Sequence, residues 1–258
     1  MGIRFGVCAS AENAGLLAGI GFDYIELGLA YVASLPEGGY ADLKAAVLGS
    51  GIKAEAFNLF FPHGIKLTGP EYEPGMVAGY AKAALARAAG LGAEIAVVGS
   101  GRSRQIPDGF PRAEAERQFA ESLRIVGEAA AAHGIVAVIE PLNARESNIA
   151  NSVSESLGIM EAADHPNVRV LADFFHIREM DEGYGGVLEA GDRLKHVHIS
   201  NAAGRAYPKA SGEDDYGRFR DALKAIGYAG RMSVEAQTAD FAKDAEAAIA
   251  FLRPFFGD

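Results

Sequence analysis

The sequence predicts one closed (β/α)8 barrel of the α/β class, occupying residues 1–258 as a single domain. Short apolar segments with β-type residues alternate with alanine-rich helical segments along the whole chain, and this alternation indicates βαβ units around a parallel sheet. Eight units average about 32 residues each, close to the ~30 residues that one βα unit needs. An open doubly wound sheet is the alternative, but no Gly-x-Gly-x-x-Gly follows the first strand and no Walker loop is present.

Eight short apolar segments are the predicted strands. They are residues 3–8, 24–27, 53–57, 94–98, 136–140, 168–172, 196–199 and 232–235. A glycine stands at most of the predicted helix-to-strand junctions, where a residue of left-handed conformation commonly ends a helix. These glycines are Gly21, Gly51, Gly92, Gly134, Gly191 and Gly227.

The helical segments between the strands carry apolar residues at helical spacing, which predicts one buried face for each helix. The clearest faces are Phe119, Leu123 and Val126 in the fourth helix, Tyr216, Phe219, Leu223 and Ile226 in the seventh, and Phe241, Ala245, Ala248 and Leu252 in the eighth. Ser152 and Glu155 form a capping box that begins the fifth helix, and Pro111 fits the first turn of the fourth. Three longer segments, 60–73, 100–110 and 206–215, are predicted loops.

Composition and charge restrict the functional classes. A formal net charge of -10 disfavours a nucleic-acid or anionic-membrane partner, since either would need a basic face. Cys8 is the only cysteine, which excludes an internal disulfide and a thiolate metal cluster and suits a reducing cytoplasm. No apolar run approaches the ~20 residues of a membrane span, and no leader opens the chain. We therefore expect a soluble cytoplasmic protein, monomeric or homo-oligomeric.

Polar residues end strand after strand of the predicted barrel, at the edge where such barrels carry their reactive groups. They are Glu26, Asn58, Ser100, Glu140, Asp173, His198 and Glu235. The last four end the fifth to eighth strands and are separated by 25 to 37 residues, about one βα unit each. Four consecutive strands thus direct side chains at one point.

The seventh strand is unusual because it carries two histidines with the same orientation. Alternate side chains of a strand share a face, so His196 and His198 point to one side. His198 lies nearer the carboxyl end of the strand, and Arg205 follows it in the next loop. For such a pair alone, a pair of hydrogen-bonded core histidines is the simpler interpretation.

The converging carboxylates predict a metal site. Glu140, Asp173 and Glu235 would repel one another if nothing lay between them, whereas a divalent cation removes that difficulty. Three oxygen ligands and the His198 imidazole favour one Mn²⁺, Mg²⁺ or Co²⁺ ion, with Zn²⁺ as a further alternative. A neutral polyol or ketone could occupy the open coordination positions.

The motifs around these residues resemble the xylose-isomerase-like TIM barrels, and within them the ketose 3-epimerase and hydroxypyruvate isomerase group. The resemblance rests on five segments. They are Ile139-Glu140-Pro141-Leu142-Asn143-Ala144-Arg145-Glu146, Leu171-Ala172-Asp173-Phe174-Phe175-His176, His196-Val197-His198, Arg205, and Ser233-Val234-Glu235. It covers residues 136–237 strongly and the first half of the chain in outline.

The resemblance implies a metal held by Glu140, Asp173, His198 and Glu235, with Mn²⁺ as the favoured ion. It also implies that His196 is a buried neighbour rather than a ligand. Three further residues are implied to contact a carbohydrate substrate. They are Glu146, His176 and Arg205.

The predicted reaction is proton transfer next to a ketone through a cis-enediolate, with Glu140 and Glu235 as the acid–base pair on opposite sides of the substrate. Return of the proton to the opposite face is epimerisation, and return to the neighbouring carbon is isomerisation. A lyase or dehydratase acting on a 3-keto-glycoside or inosose would share the same enolate. An endonuclease-IV-like phosphodiesterase would need more histidines at the strand ends, and a noncatalytic sugar-binding barrel would not need all four ligands.

Several other polar residues have two interpretations. Glu26 and Asn58 could line a substrate pocket or only form hydrogen bonds. Arg102 and Arg104 could bind a phosphate or a sugar acid, although arginines in loops are usually solvated. His63, His133 and His165 are expected on the surface or in turns.

Overall fold

The computed structural model describes residues 2–257 and contains a closed barrel of eight parallel strands that pair in chain order. The strands are β1 (Arg4–Cys8), β2 (Tyr24–Gly28), β3 (Lys53–Asn58), β4 (Ile95–Val98), β5 (Val136–Ile139), β6 (Val168–Asp173), β7 (Leu194–Ile199) and β8 (Arg231–Val234). The first and last strands close the barrel, with Phe5 opposite Met232. The predicted fold class is confirmed, and every predicted strand end lies within two residues of the observed one.

Helices surround the barrel. They are α1 (Ala14–Ile20), α2 (Leu29–Ser34), α3 (Glu37–Gly49), α4 (Pro74–Ala89), α5 (Gly101–Arg104), α6 (Arg112–Ala131), α7 (Val153–Ala163), α8 (Phe174–Glu179), α9 (Gly185–Ala190), α10 (Tyr216–Ala225) and α11 (Phe241–Phe256). The predicted apolar faces are buried against the strands, except that Ile226 and Phe241 are only half-buried at helix ends. All six junction glycines have φ between 54° and 98°, as predicted.

Two predicted helix starts can be compared with the structure. Ser152 is the N-cap of α7, and its hydroxyl accepts a hydrogen bond from the Glu155 backbone N–H at 3.0 Å. The Glu155 carboxylate accepts from the Asn151 N–H at 2.7 Å, one residue before the position that a full capping box uses. Pro111 immediately precedes α6 instead of lying in its first turn, so that prediction was wrong by one position.

The barrel interior has a charged layer at the amino ends of the strands. The Glu55 carboxylate lies 2.6 Å from Arg4 Nη2 and 2.7 Å from Arg231 Nη2, and Arg231 also contacts Glu94 at 2.7 Å. This network fills the end of the barrel that lies opposite the predicted site. Glu55 is the buried member of this network, and a buried charge is stable only when it has a partner, whereas Arg4 and Glu94 reach the surface.

A middle layer of apolar side chains separates the charged layer from the carboxyl ends of the strands. It consists of Tyr24, Ala56, Ile95, Val97, Val138 and Leu171. Gly6 makes room for the Tyr24 ring, because a Cβ atom at this position would lie 2.3 Å from it. The Tyr24 hydroxyl is paired with Ser233 Oγ at 2.7 Å. The barrel is therefore packed through its centre, and open space lies at its carboxyl end.

None of the helices in residues 2–257 combines the length and the apolar character that a membrane span requires.

Candidate metal and substrate site

The carboxyl ends of β5 to β8 bring together the four residues predicted as metal ligands. Glu140, Asp173, His198 and Glu235 each offer one ligand atom, and these four atoms lie within 4.8 Å of one another. The side chains of Glu140, Asp173 and His198 are buried, whereas Glu235 is 20% exposed. The predicted convergence of four consecutive strands is therefore present in the structure.

A glycine gives Glu140 its space. Glu140 directly follows β5, and its backbone N–H donates to the Val98 carbonyl of β4. A Cβ atom on Gly99 would lie 2.0 Å from Glu140 Oε2, so only glycine fits beside this carboxylate. The Glu140 carbonyl in turn accepts a hydrogen bond from Arg104 Nη2 at 2.8 Å. Both the backbone and the carboxylate of Glu140 are thus fixed by the segment after β4.

Asp173 ends β6 with one carboxylate oxygen satisfied and one available. Its Oδ1 accepts a hydrogen bond from the Phe175 backbone N–H at 2.7 Å, so Asp173 is the N-cap of α8. Its Oδ2 is buried and has no hydrogen-bond partner among the described residues. A buried carboxylate oxygen without a partner is costly. This atom faces the cluster, where a cation would satisfy it.

His176, one turn into α8, presents a hydrogen-bond donor to the same space. Its Nδ1 accepts from the Asn143 backbone N–H at 3.1 Å, so the neutral ring carries its hydrogen on Nε2. That Nε2 is buried without a partner in the described chain and lies 3.6 Å from Asp173 Oδ2. Asn143 also donates from Nδ2 to Glu146 Oε1 at 2.9 Å. Asn143 therefore links two residues that the sequence had suggested for substrate binding.

The two histidines of β7 share one buried carboxylate. Glu26 on β2 lies with Oε2 2.8 Å from His196 Nε2 and with Oε1 3.0 Å from His198 Nε2. The other nitrogen of His198, Nδ1, is 3.1 Å from Glu140 Oε1 and 3.5 Å from Glu235 Oε2. The His196 side chain thus bonds to Glu26, packs edge-to-face on the His198 ring with 5.0 Å between the ring centroids, and lies outside the four-residue cluster.

Cys8, Glu26 and His198 form a second, overlapping group of possible ligands. Burial and the Glu26 carboxylate raise the pKa of the Cys8 thiol well above its usual value, which keeps the sulfur protonated. Both oxygens of Glu26 already contact His196 and His198. The cluster of three carboxylates and one imidazole offers more ligands and therefore fits a cation better.

Glu235 is held from two sides. Asn58 donates from Nδ2 to Glu235 Oε1 at 3.0 Å, and Arg205 Nη2 donates to Glu235 Oε2. The Arg205 guanidinium also lies 3.7 Å from Asp173 Oδ2 and stacks on the Phe175 ring, with 4.6 Å between the Cζ atom and the ring centroid. Arg205 is therefore a fixed positive charge at the edge of an acidic cluster.

The two glutamates of the cluster have pKa values shifted in opposite directions. Burial and the charge of Glu235 raise the pKa of Glu140. Burial also favours a higher pKa for Glu235, but the His198 imidazole and the Arg205 guanidinium have the larger effect. The pKa of Glu235 therefore falls below its ordinary value, to about 2. Paired carboxylates whose environments separate their pKa values are typical of acid–base sites.

A cavity of about 440 Å³ opens over the cluster. It is lined by Glu140, Glu146, His176, Arg205 and Glu235 among others, so it unites both predicted acid–base residues with the three predicted substrate contacts. Pockets for small molecules start at about 300 Å³. The cavity is therefore large enough for a small polar substrate.

The structure places the two arginines of the loop after β4 in different environments. Arg104 is fully buried, and its guanidinium donates to the backbone carbonyls of Val98, Glu140 and Ala150 and to the Ser147 hydroxyl. The suggestion that Arg104 binds a phosphate was therefore wrong, because its donors are already used within the protein. Arg102 is exposed and remains available.

Comparison with known proteins gives one family and several relatives. The sequence model of the xylose isomerase-like TIM barrel family matches residues 15–255. D-psicose 3-epimerase of Ruminiclostridium cellulolyticum is 33% identical over 116 residues, which are 45% of this chain and 39% of that protein. 2-Oxo-tetronate isomerase of Haemophilus influenzae is 29% identical over 139 residues, which are 52% of each protein. The chain thus spans about half the length of these relatives or less.

One solved structure illustrates the likeness in fold. It is D-psicose 3-epimerase with D-tagatose from Clostridium cellulolyticum H10, which superposes with a TM-score of 0.85 at 22% sequence identity and covers 99% of this chain and 100% of that one. The two chains therefore share the complete barrel.

Proposed function

Since the chain belongs to the xylose isomerase-like TIM barrel family, we propose that it is a divalent-metal-dependent isomerase or epimerase of a ketose or related keto compound. The reaction is proton transfer next to a ketone through a cis-enediolate, as in a ketose 3-epimerase. The observation that carries this proposal is the buried cluster of Glu140, Asp173, His198 and Glu235 beneath a polar cavity. Relatives named for epimerase and isomerase activity support it.

The four residues of the cluster would hold one divalent ion, with Mn²⁺ favoured and Mg²⁺, Co²⁺ or Zn²⁺ as alternatives. Asp173 Oδ2 supports this assignment, because this buried oxygen accepts no hydrogen bond within residues 2–257 and Arg205 Nη2 approaches it only to 3.7 Å. Three oxygen donors and one imidazole nitrogen suit these ions. Such an ion polarises a bound carbonyl and stabilises the negative charge of an enediolate.

Glu140 and Glu235 would transfer the proton. One removes it from the carbon beside the ketone and the other returns it, so a new configuration results when they act on opposite faces. Each glutamate would need one carboxylate oxygen for the ion and the other for the proton, and in Glu235 that other oxygen also accepts a hydrogen bond from Asn58 or Arg205.

The remaining residues of the cavity would orient the sugar. His176 offers an Nε2–H donor that has no partner among the described residues, and Arg205 offers a fixed guanidinium. Glu146 is held by Asn143 and lies with Oε1 3.7 Å from Arg205 Nη1. Together they would bind hydroxyl and carbonyl oxygens of the substrate, and correct orientation alone can lower a barrier substantially.

Proton transfer in D₂O tests the proposal. The Mn²⁺-loaded protein is incubated with a panel of free ketoses, keto acids and 3-keto-glycosides and followed by NMR. We expect one new C–D bond next to the carbonyl, with every carbon and oxygen of the substrate retained. Glu235→Gln should stop the exchange. Release of water or an aglycone without deuterated epimer would show a lyase instead, and no exchange with any compound would reject the enzymatic proposal.

A further inference from the structure

A second, larger cavity adjoins the one above the cluster. Its volume is about 950 Å³, and the two cavities share Gly101, Arg102 and Glu146 in their walls. We name it the outer cavity. Drug-sized ligands occupy cavities of roughly 300–1,000 Å³. A molecule bound over the cluster therefore has room to extend past Arg102.

The outer cavity has two cationic residues that form no ion pair with an acid of residues 2–257. Lys66 and Arg102 line it, and neither has a carboxylate within 4.0 Å in the described part of the chain. Arg102 Nη1 instead lies 3.3 Å from Nδ1 of the His63 imidazole.

The other charged residues of this wall differ. Arg145 forms an ion pair with Glu179, and the Glu146 carboxylate lies 3.7 Å from Arg205 Nη1. Glu71 is the remaining acid of the wall, and it is exposed. The unpaired groups therefore leave an excess of positive charge on the wall.

We propose, resting on the function proposed above, that the outer cavity binds an anionic group at the far end of the substrate. The substrate class is then a keto sugar that bears a carboxylate or a phosphate ester. Arg102 stands where the two cavities meet, and a guanidinium binds either anion through paired N–H donors. Lys66 adds a second charge farther along the same wall.

Matched substrates test this inference. Ketoses are compared with their terminal phosphate esters and with keto sugar acids of the same length, and kcat and KM are measured for each. We expect kcat/KM to be at least about tenfold higher for one anionic class than for the neutral ketose. The phosphate and acid arms show which anion is preferred.

Variants locate the effect. Arg102→Gln and Lys66→Gln should reduce the preference for the anionic substrate about tenfold through KM, and 0.5 M NaCl should reduce it in the unmodified protein. Arg145→Gln is the matched control, because it removes a charge from the same wall that is already paired with Glu179. Equal kcat/KM for neutral and anionic substrates, or equal loss in all three variants, would overturn the inference. If no compound is turned over, the proposed function fails first.

A separate observation concerns Glu26, which the proposed chemistry does not use directly. It is fully buried on β2, and its two oxygens contact Nε2 of His196 and Nε2 of His198. Nδ1 of His196 has no partner among residues 2–257. The hydrogen of that ring therefore lies on Nε2 and is donated to Glu26.

The same geometry sets the orientation of His198. A ligating Nδ1 carries no hydrogen, so the ring hydrogen must lie on Nε2, where Glu26 Oε1 accepts it at 3.0 Å. This contact turns Nδ1 toward Glu140 and Glu235. Carboxylates that accept from the second nitrogen of a ligating histidine fix its tautomer and rotation. We infer that Glu26 is a positioning residue for His198 in the proposed metal site.

Metal affinity tests this role without relying on turnover. Mn²⁺ dissociation constants are measured by calorimetry, and the visible spectrum of the Co²⁺ form is recorded. Glu26→Gln should weaken binding about 10- to 100-fold and shift the Co²⁺ spectrum. Glu26→Asp keeps the charge but has a shorter side chain, so its Mn²⁺ affinity should lie between those of the unmodified protein and Glu26→Gln. If Glu26→Gln does not fold, Glu26→Asp takes its place in the test.

Glu55→Gln is the matched control for Glu26→Gln. Glu55 is also buried in the barrel and bridges two cationic residues, but it lies in the charged layer at the opposite end. Even if Glu55→Gln lowers the melting temperature as much as Glu26→Gln does, the Glu55→Gln variant should bind Mn²⁺ as tightly as the unmodified protein. Equal affinity losses in both variants, or none in Glu26→Gln, would reduce Glu26 to a structural role. A protein that binds no metal at all would refute the metal site itself.

Discussion

Asn58 on β3 donates a hydrogen bond to Oε1 of Glu235, which follows β8, with 3.0 Å between the two atoms. The contact crosses the barrel mouth and joins residues 177 positions apart. Since Arg205 occupies the other oxygen of Glu235, the carboxylate cannot rotate without losing one of its partners. Asn58 therefore fixes the position of Glu235 and does more than line the wall of the site.

Replacement of Asn58 should reduce turnover more than stability. Asn58→Leu removes the donor while filling its space, and we expect kcat to fall about 10- to 100-fold, because misplacement of a proton-transfer group by about 1 Å has effects of this size. The melting temperature should change by only a few degrees. Steady-state kinetics and thermal denaturation check both values. An unchanged kcat would show that Arg205 alone holds Glu235.

Metal removal should destabilise the fold, because an ion that binds only the native state adds RT ln(1 + [L]/Kd) to its stability. At an ion concentration about 100 times Kd this is about 2.7 kcal/mol, or roughly 5–10 °C in melting temperature. EDTA should produce this decrease and abolish activity, and Mn²⁺ should restore both. Identical melting curves with EDTA and with Mn²⁺ would contradict the proposed metal site.

The two histidines of β7 should respond differently to replacement. His198→Ala removes a proposed ligand, so the purified variant should retain less than about a tenth of the metal. His196→Ala should keep most of its metal and lose stability, because it leaves a cavity and an unpaired Glu26 oxygen. Metal analysis of both proteins decides the matter. The reverse pattern would mean that His196 is the ligand.

Glu26 should make the metal-free protein sensitive to acid. Burial favours a higher pKa for Glu26, but His198 and His196 have the larger, opposite effect. The pKa of Glu26 in the folded protein therefore lies below its ordinary value of 4.5. Its stabilising contribution is complete above pH 4.5 and is lost as the pH falls toward the folded pKa, since only the unfolded state then takes up the proton. Melting temperatures between pH 6 and pH 3 in EDTA should fall more steeply for the unmodified protein than for Glu26→Gln. Parallel curves would contradict this linkage.

Gly99→Ala should disrupt the site through one methyl group. The added Cβ would lie 2.0 Å from Glu140 Oε2, so the carboxylate or the β4 backbone must move. We expect loss of most Mn²⁺ affinity and about 1–3 kcal/mol of stability, as for other overpacked positions. Gly79→Ala on α4 is the control, because nothing lies within 4 Å of its Cβ and alanine favours helix. A variant at position 99 that binds metal normally would show that Glu140 is not a ligand.

The fold and the central cluster could be predicted from the sequence because both depend on local patterns. Alternating segments identified the strands, and Glu140, Asp173, His198 and Glu235 were visible as polar residues at strand ends. Their burial and convergence follow directly from the parallel topology.

Other parts of the site depend on contacts that no local pattern records. The link from Glu26 to His196 spans 170 residues, and its partners were apparent only once the barrel closed. Asn143 lies in the conspicuous segment after β5, but its hydrogen bond to His176 depends on how that loop folds. Arg104 was misinterpreted because a loop arginine is usually solvated, whereas here surrounding carbonyls replace water.

The burial of Arg104 has a consequence for protein engineering. Its guanidinium joins the carbonyls of Val98, Glu140 and Ala150, while its own carbonyl accepts from Thr68 Oγ1 at 3.1 Å. Segments from three different βα units therefore meet at this one residue, two of them at its side chain and the third at its backbone carbonyl. A designer who wishes to graft a new loop after β4 cannot treat that loop as an independent cassette. The arginine, Thr68 and the 147–150 turn must be transplanted with it.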